Sequence, residues 1–142
     1  MRTLRERLRS DYNYNKQGDI YRCVKDSNLM AVRLLMDFLG IKGQINNGHY
    51  FLISRSSIHN NDVRIDKFIG RLLLPIDVPL SDAQTIAGVY VRADKELAHL
   101  TTIFNDEFNE ESKLIEAATI IEGLLKVHLY DYFGESLPEM DR

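Results

Sequence analysis

The sequence predicts an all-α protein, an up-down bundle of four to five helices with an irregular segment between the second and third. Three observations support this prediction. Apolar residues recur at helical spacing through most of the 142 residues. Capping residues, glycines and prolines stand where such helices would begin and end. A hydrophobic content of 44% is enough for one domain over residues 1–142 with its own core.

The first two predicted helices differ in character. Leu4, Leu8 and Tyr12 recur at helical spacing among arginines, which predicts a short amphipathic helix with a basic outer face. The second helix is longer and is expected to begin at a cap, Asp19, and to stop at Gly40. Its apolar stripe consists of Ile20, Cys23, Val24, Ala31, Leu34 and Phe38.

The helical period is lost over residues 41–61. Asn47-Gly48 is typical of the two-residue turn of a β-hairpin, and the aromatic and apolar run from His49 to Ile53 suits one of its strands. An ordered loop across the bundle is the other interpretation of this short apolar run. The segment therefore predicts either a short hairpin or an irregular connection.

The last three predicted helices follow this segment. Helical spacing returns from Ile65 to Leu73 and ends at Pro75, because proline cannot continue the backbone hydrogen bonds. A capping box of Ser81 and Gln84 opens the next helix. The apolar stripe of that helix is Ile86, Val89, Tyr90, Ala93, Leu97, Leu100 and Phe104. The final helix extends from Asn109 to Phe133 and has little polar surface, which is typical of a central helix or a dimer interface.

Composition excludes several classes of protein. No apolar run approaches the roughly 20 residues that span a bilayer, and the single cysteine, Cys23, cannot form an internal disulfide. The basic start lacks the apolar segment of a secretory signal. We therefore expect a cytoplasmic protein with no membrane partner. Motifs for NTPases, dinucleotide enzymes and serine hydrolases are absent, and a net charge of -3 neither demands nor excludes a nucleic-acid partner.

A candidate catalytic pair lies in the helix that begins at Ser81. Arg92 and His99 are seven residues apart, so they lie about 20° from each other on a helical wheel. Histidine transfers protons near neutral pH, and a guanidinium binds two phosphate oxygens at once. Cleavage of RNA without a metal needs both functions. The pair predicts such a site, with Lys95 and Glu96 as further members.

The stretch from Arg92 to His99 resembles the arginine-x6-histidine motif of the HEPN superfamily, in its abortive-infection and uncharacterised branches. The resemblance implies four main helices, assembly as a homodimer and, in many members, ribonuclease activity of the toxin or phage-defence type. The residue after the arginine is Ala93, whereas HEPN nucleases often have a polar residue there.

The length of the motif makes dimerisation part of the hypothesis. The Cα atoms of Arg92 and His99 would be roughly 10.5 Å apart along a helix axis, which is long for one small site. A two-fold axis beside Gly88 would let one phosphate meet an arginine and a histidine from different chains. The missing side chain at Gly88 would allow another helix or another subunit to approach closely.

Other interpretations of the same residues stay open. Arg92 and Glu96 have the spacing of an ordinary ion pair on a helix surface, and His99 could cap a neighbouring carbonyl. Glu96 and His99 also form the Glu-x-x-His pair of di-iron helical bundles. A second such pair is missing from the sequence, so we predict neither a metal site nor a cofactor.

Two binding functions complete the alternatives. The basic start could contact RNA phosphates, although such a face is more often merely solvated. Its residues are Arg2, Arg5, Arg7 and Arg9. The main alternative to an enzyme is a non-catalytic homodimeric helical bundle that acts as a nucleotide-binding or protein-interaction module. Its protein partner would be an antitoxin or a defence component.

Overall fold

The computed structural model describes residues 19–55, 62–98 and 109–136. They contain four helices and a two-stranded antiparallel sheet. The elements are α1 (Asp19–Leu39), β1 (Ile41–Asn46), β2 (His49–Ser54), α2 (Asp66–Ile69), a 3-10 turn (Pro75–Asp77), α3 (Leu80–Ala98) and α4 (Asn109–Leu125). The helical path of α4 continues through a π turn (Lys126–Tyr130) and a 3-10 turn (Asp131–Phe133). The helix predicted around Leu4 to Tyr12 lies outside the described residues.

The prediction of an all-α up-down bundle is wrong, because a β-hairpin follows α1. β1 pairs with β2 in an antiparallel register in which Ile41 lies opposite Ser54 and Asn46 lies opposite His49. Asn47 (φ 50°) and Gly48 (φ 78°) both adopt the left-handed conformation that a tight hairpin turn requires. Of the two interpretations of this segment, the hairpin is therefore the one that the structure contains.

The third predicted helix is reduced to the single turn of α2. Gly70 has a φ of 80° and ends this turn. The chain on both sides of α2 bonds to the end of α1: the Ile65 N–H donates to the Phe38 carbonyl at 2.9 Å, and the Leu73 N–H to the Leu39 carbonyl at 3.0 Å. These backbone bonds hold the segment in a path that a longer helix could not follow.

α3 is the central element, since it packs against α1, α4 and both strands. Its buried side chains are Ala83, Ile86, Ala87, Val89, Tyr90 and Ala93, which include four members of the predicted stripe. The helix begins at Leu80, slightly before the predicted capping box, because the Ala83 N–H donates to the Pro79 carbonyl at 2.8 Å. Arg92 therefore stands on the helix that packs against the most elements among the described residues.

Gly43 allows β1 to lie directly on α3. A Cβ atom built at Gly43 would be 2.5 Å from the carbonyl oxygen of Ala87 and 2.8 Å from Cβ of Tyr90. Both distances are too short for any side chain. The hairpin and α3 therefore meet backbone to backbone at this point, which places the hairpin closely against the central helix.

Candidate functional site

The structure describes part of the predicted catalytic site. Arg92 is half-buried on α3, and Lys95, three residues further on, is exposed. Residues three apart share a face of a helix, so these two cations belong to one flank. Glu96 lies in the last described turn of α3, where the structure describes only its backbone. His99 and the basic residues Arg2, Arg5, Arg7 and Arg9 lie outside the described residues.

Gly88 lies one turn before Arg92, and a residue of the same chain occupies the space beside it. A Cβ atom built at Gly88 would be 3.6 Å from Cδ2 of the Tyr50 ring, which is ordinary van der Waals contact. The expectation that another subunit approaches here loses its basis, because Tyr50 of β2 already does so.

A polar cluster ties the opposite side of α3 to α1. The Tyr90 hydroxyl donates a hydrogen bond to Oδ1 of Asp37 at 2.9 Å. One turn further along α3, Asp94 forms an ion pair with Arg33 at 3.1 Å. The Arg33 guanidinium also lies 5.9 Å from the centre of the Tyr90 ring, within cation–π range. We call these four residues, together with Arg55, the α1–α3 polar cluster.

Arg55 extends the cluster to the residues that follow β2. Its Nε lies 3.9 Å from Oδ1 of Asp37, and its Nη2 lies 3.4 Å from Oδ2 of Asp62. The Arg55 N–H also donates to the Gly40 carbonyl at 3.0 Å. The end of the hairpin, the end of α1 and the segment that leads to α2 are therefore held at one place.

The cluster is suited to positioning α3, and its tyrosine is not available as an acid or base near neutral pH. Burial and then the hydrogen bond to Asp37 raise the pKa of Tyr90 to about 12. The phenol therefore stays protonated and donates continuously. The sequence contained a signal for this cluster: Arg33 and Asp37 are four residues apart on one helix, and Tyr90 and Asp94 are four apart on the other.

A second polar group lies around the 3-10 turn. Asp77 accepts a hydrogen bond from the Leu74 N–H at 2.8 Å and pairs with Arg71 at 2.9 Å. The Leu74 bond, then the Arg71 bond, lower the pKa of Asp77, and the charge of the nearby His128 acts in the same direction. His128 is half-buried in the π turn. An arginine and a histidine outside the motif, Arg71 and His128, thus both act on the carboxylate of Asp77.

An open groove lies between α2 and the π and 3-10 turns that follow α4. It has a volume of about 400 Å³ and is lined by Phe68, Leu129, Tyr130, Phe133 and Glu135. Four of the five are apolar or aromatic, which suits an apolar side chain better than a charged ligand. In the part of the chain that the structure describes, no three His, Cys, Asp or Glu side chains are grouped so that they could hold a metal ion.

Within residues 19–55, 62–98 and 109–136, none of the helices combines the length and the apolar character that crossing a bilayer requires.

Comparisons with known proteins do not identify the site. The chain matches no protein-family model, no curated protein and no solved structure.

Proposed function

We propose that this chain is a metal-independent endoribonuclease, similar to HEPN nucleases of the toxin or phage-defence type, which acts along the flank of α3 that carries Arg92. In this proposal His99 transfers a proton at the ribose 2′-hydroxyl or at the leaving 5′-oxygen. Arg92 binds the phosphate and stabilises the negative charge that develops on it. The substrate is RNA, and the active form is a homodimer.

The orientation of α3 is the observation that supports this proposal best. Tyr90 and Asp94 are each bonded to α1. Arg92 is two residues from both, which corresponds to about 200° of rotation around the helix. Arg92 therefore faces away from α1, on a flank where an extended substrate could lie.

Lys95 and Glu96 are the supporting members of the site. Lys95 is exposed and stands at helical spacing from both Arg92 and His99, so its ammonium adds positive charge between them. Glu96 is four residues after Arg92, a spacing that allows its carboxylate to orient the guanidinium. The basic start of the chain would add contacts to the RNA backbone, and binding would then weaken as salt concentration rises.

The test compares three full-length proteins on mixed cellular RNA in the presence of EDTA. They are the wild type, an Arg92→Ala/His99→Ala variant and a control variant. In the control, alanine replaces Arg71 and His128, the arginine and histidine that act on Asp77. Wild type and control should leave fragments with 2′,3′-cyclic phosphate ends. The Arg92→Ala/His99→Ala variant should lose at least about 100-fold in rate, in line with the usual contribution of a general acid or base.

Circular dichroism and thermal unfolding of all three proteins show whether each is folded. Cleavage that persists in a folded Arg92→Ala/His99→Ala variant contradicts the proposal. If cleavage is lost only in the Arg71 and His128 control, the active site lies near the 3-10 turn and not on α3.

A second candidate is a non-catalytic homodimeric module that binds a protein or a nucleotide. The observation that favours it is the apolar character of the exposed face of α1, where Met30, Leu34 and Leu35 are all more than a third exposed. A solvated helix normally carries charged residues on such a face. Absence of cleavage by a folded wild type, together with a stable partner complex, would support this candidate instead.

A further inference from the structure

The outer face of α1 carries no charged side chain from Ser27 to Leu39. The two charged residues in this stretch, Arg33 and Asp37, belong to the α1–α3 polar cluster and bond to α3. The other exposed positions are Ser27, Asn28, Met30, Ala31, Leu34 and Leu35. A helix that is uncharged on its core face and on its outer face normally has protein on both sides.

This face continues across the molecule into the open groove. Phe38 lies one turn after Leu34 on α1, and its ring centre is 6.1 Å from that of Phe68. Phe68 lines the groove together with Phe133. The Tyr132 ring packs edge-on against Phe133 at 5.1 Å. We call the continuous surface formed by these side chains the apolar strip; its members are Met30, Leu34, Leu35, Phe38, Phe68, Tyr132 and Phe133.

The area of the apolar strip is that of a protein interface. Apart from the half-buried Phe38, its members have exposed fractions between 38% and 62%. With roughly 200 Å² for each fully exposed side chain of this size, the strip exposes about 600 Å². A contiguous apolar patch of this size is at the upper limit for a typical monomer. Two copies of the strip would bury about 1,200 Å² together, which reaches the size of a specific interface.

The two ends of the strip differ in shape, and the difference determines how it can be covered. One end is the convex face of a helix with Leu34 at its most exposed position, and the other end is the groove beside Phe68 and Phe133. A helix ridge fits a groove, so the strip is complementary to itself in a two-fold arrangement. Covering the strip in this way buries no charge in the groove. Glu135, the charged residue that lines the groove, is exposed and can keep its carboxylate in water.

We propose that a second copy of this chain covers the apolar strip, with Leu34 of each copy seated in the groove beside Phe68 and Phe133 of the other. This pairing does not depend on the ribonuclease chemistry. Because Arg92 faces away from α1, each copy keeps its own α3 flank uncovered.

The first experiment measures the molar mass of the full-length protein by light scattering and sedimentation from roughly 1 to 100 µM, the range expected for an interface at the lower size limit. The wild type should dimerise. Leu34→Glu should weaken dimerisation at least tenfold, because it places a carboxylate in an apolar groove. The matched control is Ile76→Glu, which changes a side chain that is 88% exposed and outside the strip, and it should leave the dimer unchanged.

A charge pair across the interface tests the arrangement itself. Tyr132→Lys alone should also weaken the dimer, whereas a mixture of the Leu34→Glu chain and the Tyr132→Lys chain should form a heterodimer. In that heterodimer one contact carries both substitutions, with opposite charges, and the other contact keeps both native side chains. Its dissociation constant should return to within about tenfold of the wild-type value.

Three results would overturn the proposal. They are a wild type that stays monomeric over the whole range, a dimer that Leu34→Glu leaves intact, and a mixture that does not recover association. RNA cleavage by a wild type whose dimer survives Leu34→Glu would overturn this proposal and leave the proposed function standing. A dimer that depends on the strip but cleaves no RNA would do the reverse, so the two proposals can fail separately.

Discussion

Replacement of Tyr90 by phenylalanine removes one hydroxyl from the α1–α3 polar cluster and keeps the ring that fills the core. The side chain is 3% exposed, and its hydroxyl bonds to Asp37 at 2.9 Å. A hydrogen bond to a charged acceptor contributes about 1.5–3 kcal/mol. The rise of the pKa of Tyr90 from 10.0 to about 12, caused first by burial and then by the bond to Asp37, is a separate quantity. At roughly 1.4 kcal/mol per unit, it means that the folded state favours the protonated phenol over the phenolate by about 3 kcal/mol.

The pH dependence of this contribution has a definite sign. In the unfolded chain the phenol ionises near its ordinary pKa of 10.0, whereas in the folded chain it stays protonated until about 12. The folded state therefore holds the additional proton between these values, and stability falls as pH rises through them. The full contribution is present below about pH 10. Half of it is lost by about pH 11, and most of it by about pH 12.

Urea unfolding of the wild type and of Tyr90→Phe checks both statements. At about pH 8 the variant should be less stable by about 1.5–3 kcal/mol, the contribution of the lost hydrogen bond. The difference in the free energy of unfolding between the two proteins should be smaller at about pH 11. Ionisations that both proteins share cancel in this comparison. A difference that is the same at both pH values, or a variant as stable as the wild type, would refute the account of the cluster.

Two further predictions concern single side chains, and the same unfolding assay measures both. Gly43→Ala should cost about 1–3 kcal/mol, because the new Cβ would overlap the Ala87 carbonyl at 2.5 Å; its control, Gly88→Ala, has room and should be neutral or stabilising by up to about 1 kcal/mol. Equal effects at the two glycines would contradict the close approach of strand and helix. Asp77→Asn should be less stable than the wild type at neutral pH, because Leu74 and Arg71 hold the pKa of Asp77 below its usual value. That difference should disappear on acidification through this lowered pKa, since the contribution of a stabilised carboxylate is lost as it is protonated; a difference that persists in acid would show that the bonds to the carboxylate are not its cause.

The spans of the long helices were predictable from their apolar spacing, but the stripe predicted for α1 was wrong as its buried side. Ala31 and Leu34 of that stripe are exposed, and the buried side chains are Leu29, Val32, Met36 and Leu39 instead. The stripe predicted for α3 was right where the structure describes it. Ile86, Val89, Tyr90 and Ala93 of the predicted stripe are all buried in α3. The third helix was not predictable in the same way. Its apolar spacing is helical, but the backbone N–H groups of Ile65 and Leu73 bond to the end of α1, which is distant in sequence. Local spacing carries no information about such bonds.

The hairpin was half predictable. Asn47-Gly48 is a local signal, and the turn forms there. The first strand gave no comparable signal, since Ile41 to Asn46 contains a glycine and little apolar alternation. Position 43 requires glycine because the Ala87 carbonyl lies too close for a side chain. That contact exists only once the strand and α3 are packed together.

The spacing of Arg92 and His99 predicts a shared flank of a helix, but the direction of that flank depends on the α1–α3 polar cluster. The two pairs of the cluster, Arg33 with Asp94 and Asp37 with Tyr90, run in opposite directions along their helices, as antiparallel neighbours require. Once this alignment is known, the rotation of about 100° per residue determines where Arg92 faces. The residues that orient the motif therefore lie outside it.

The same alignment separates the two proposed surfaces. The two charged residues in the second half of α1, Arg33 and Asp37, bond to α3. The outer face of this part of α1 therefore consists of uncharged side chains, among them Met30, Leu34 and Leu35. α3 uses Tyr90 toward α1, so Arg92 is turned to the opposite side. One set of contacts thus produces an apolar face on α1 and a polar flank on α3. For this reason a partner bound to the apolar face of α1 would leave the polar flank of α3 uncovered.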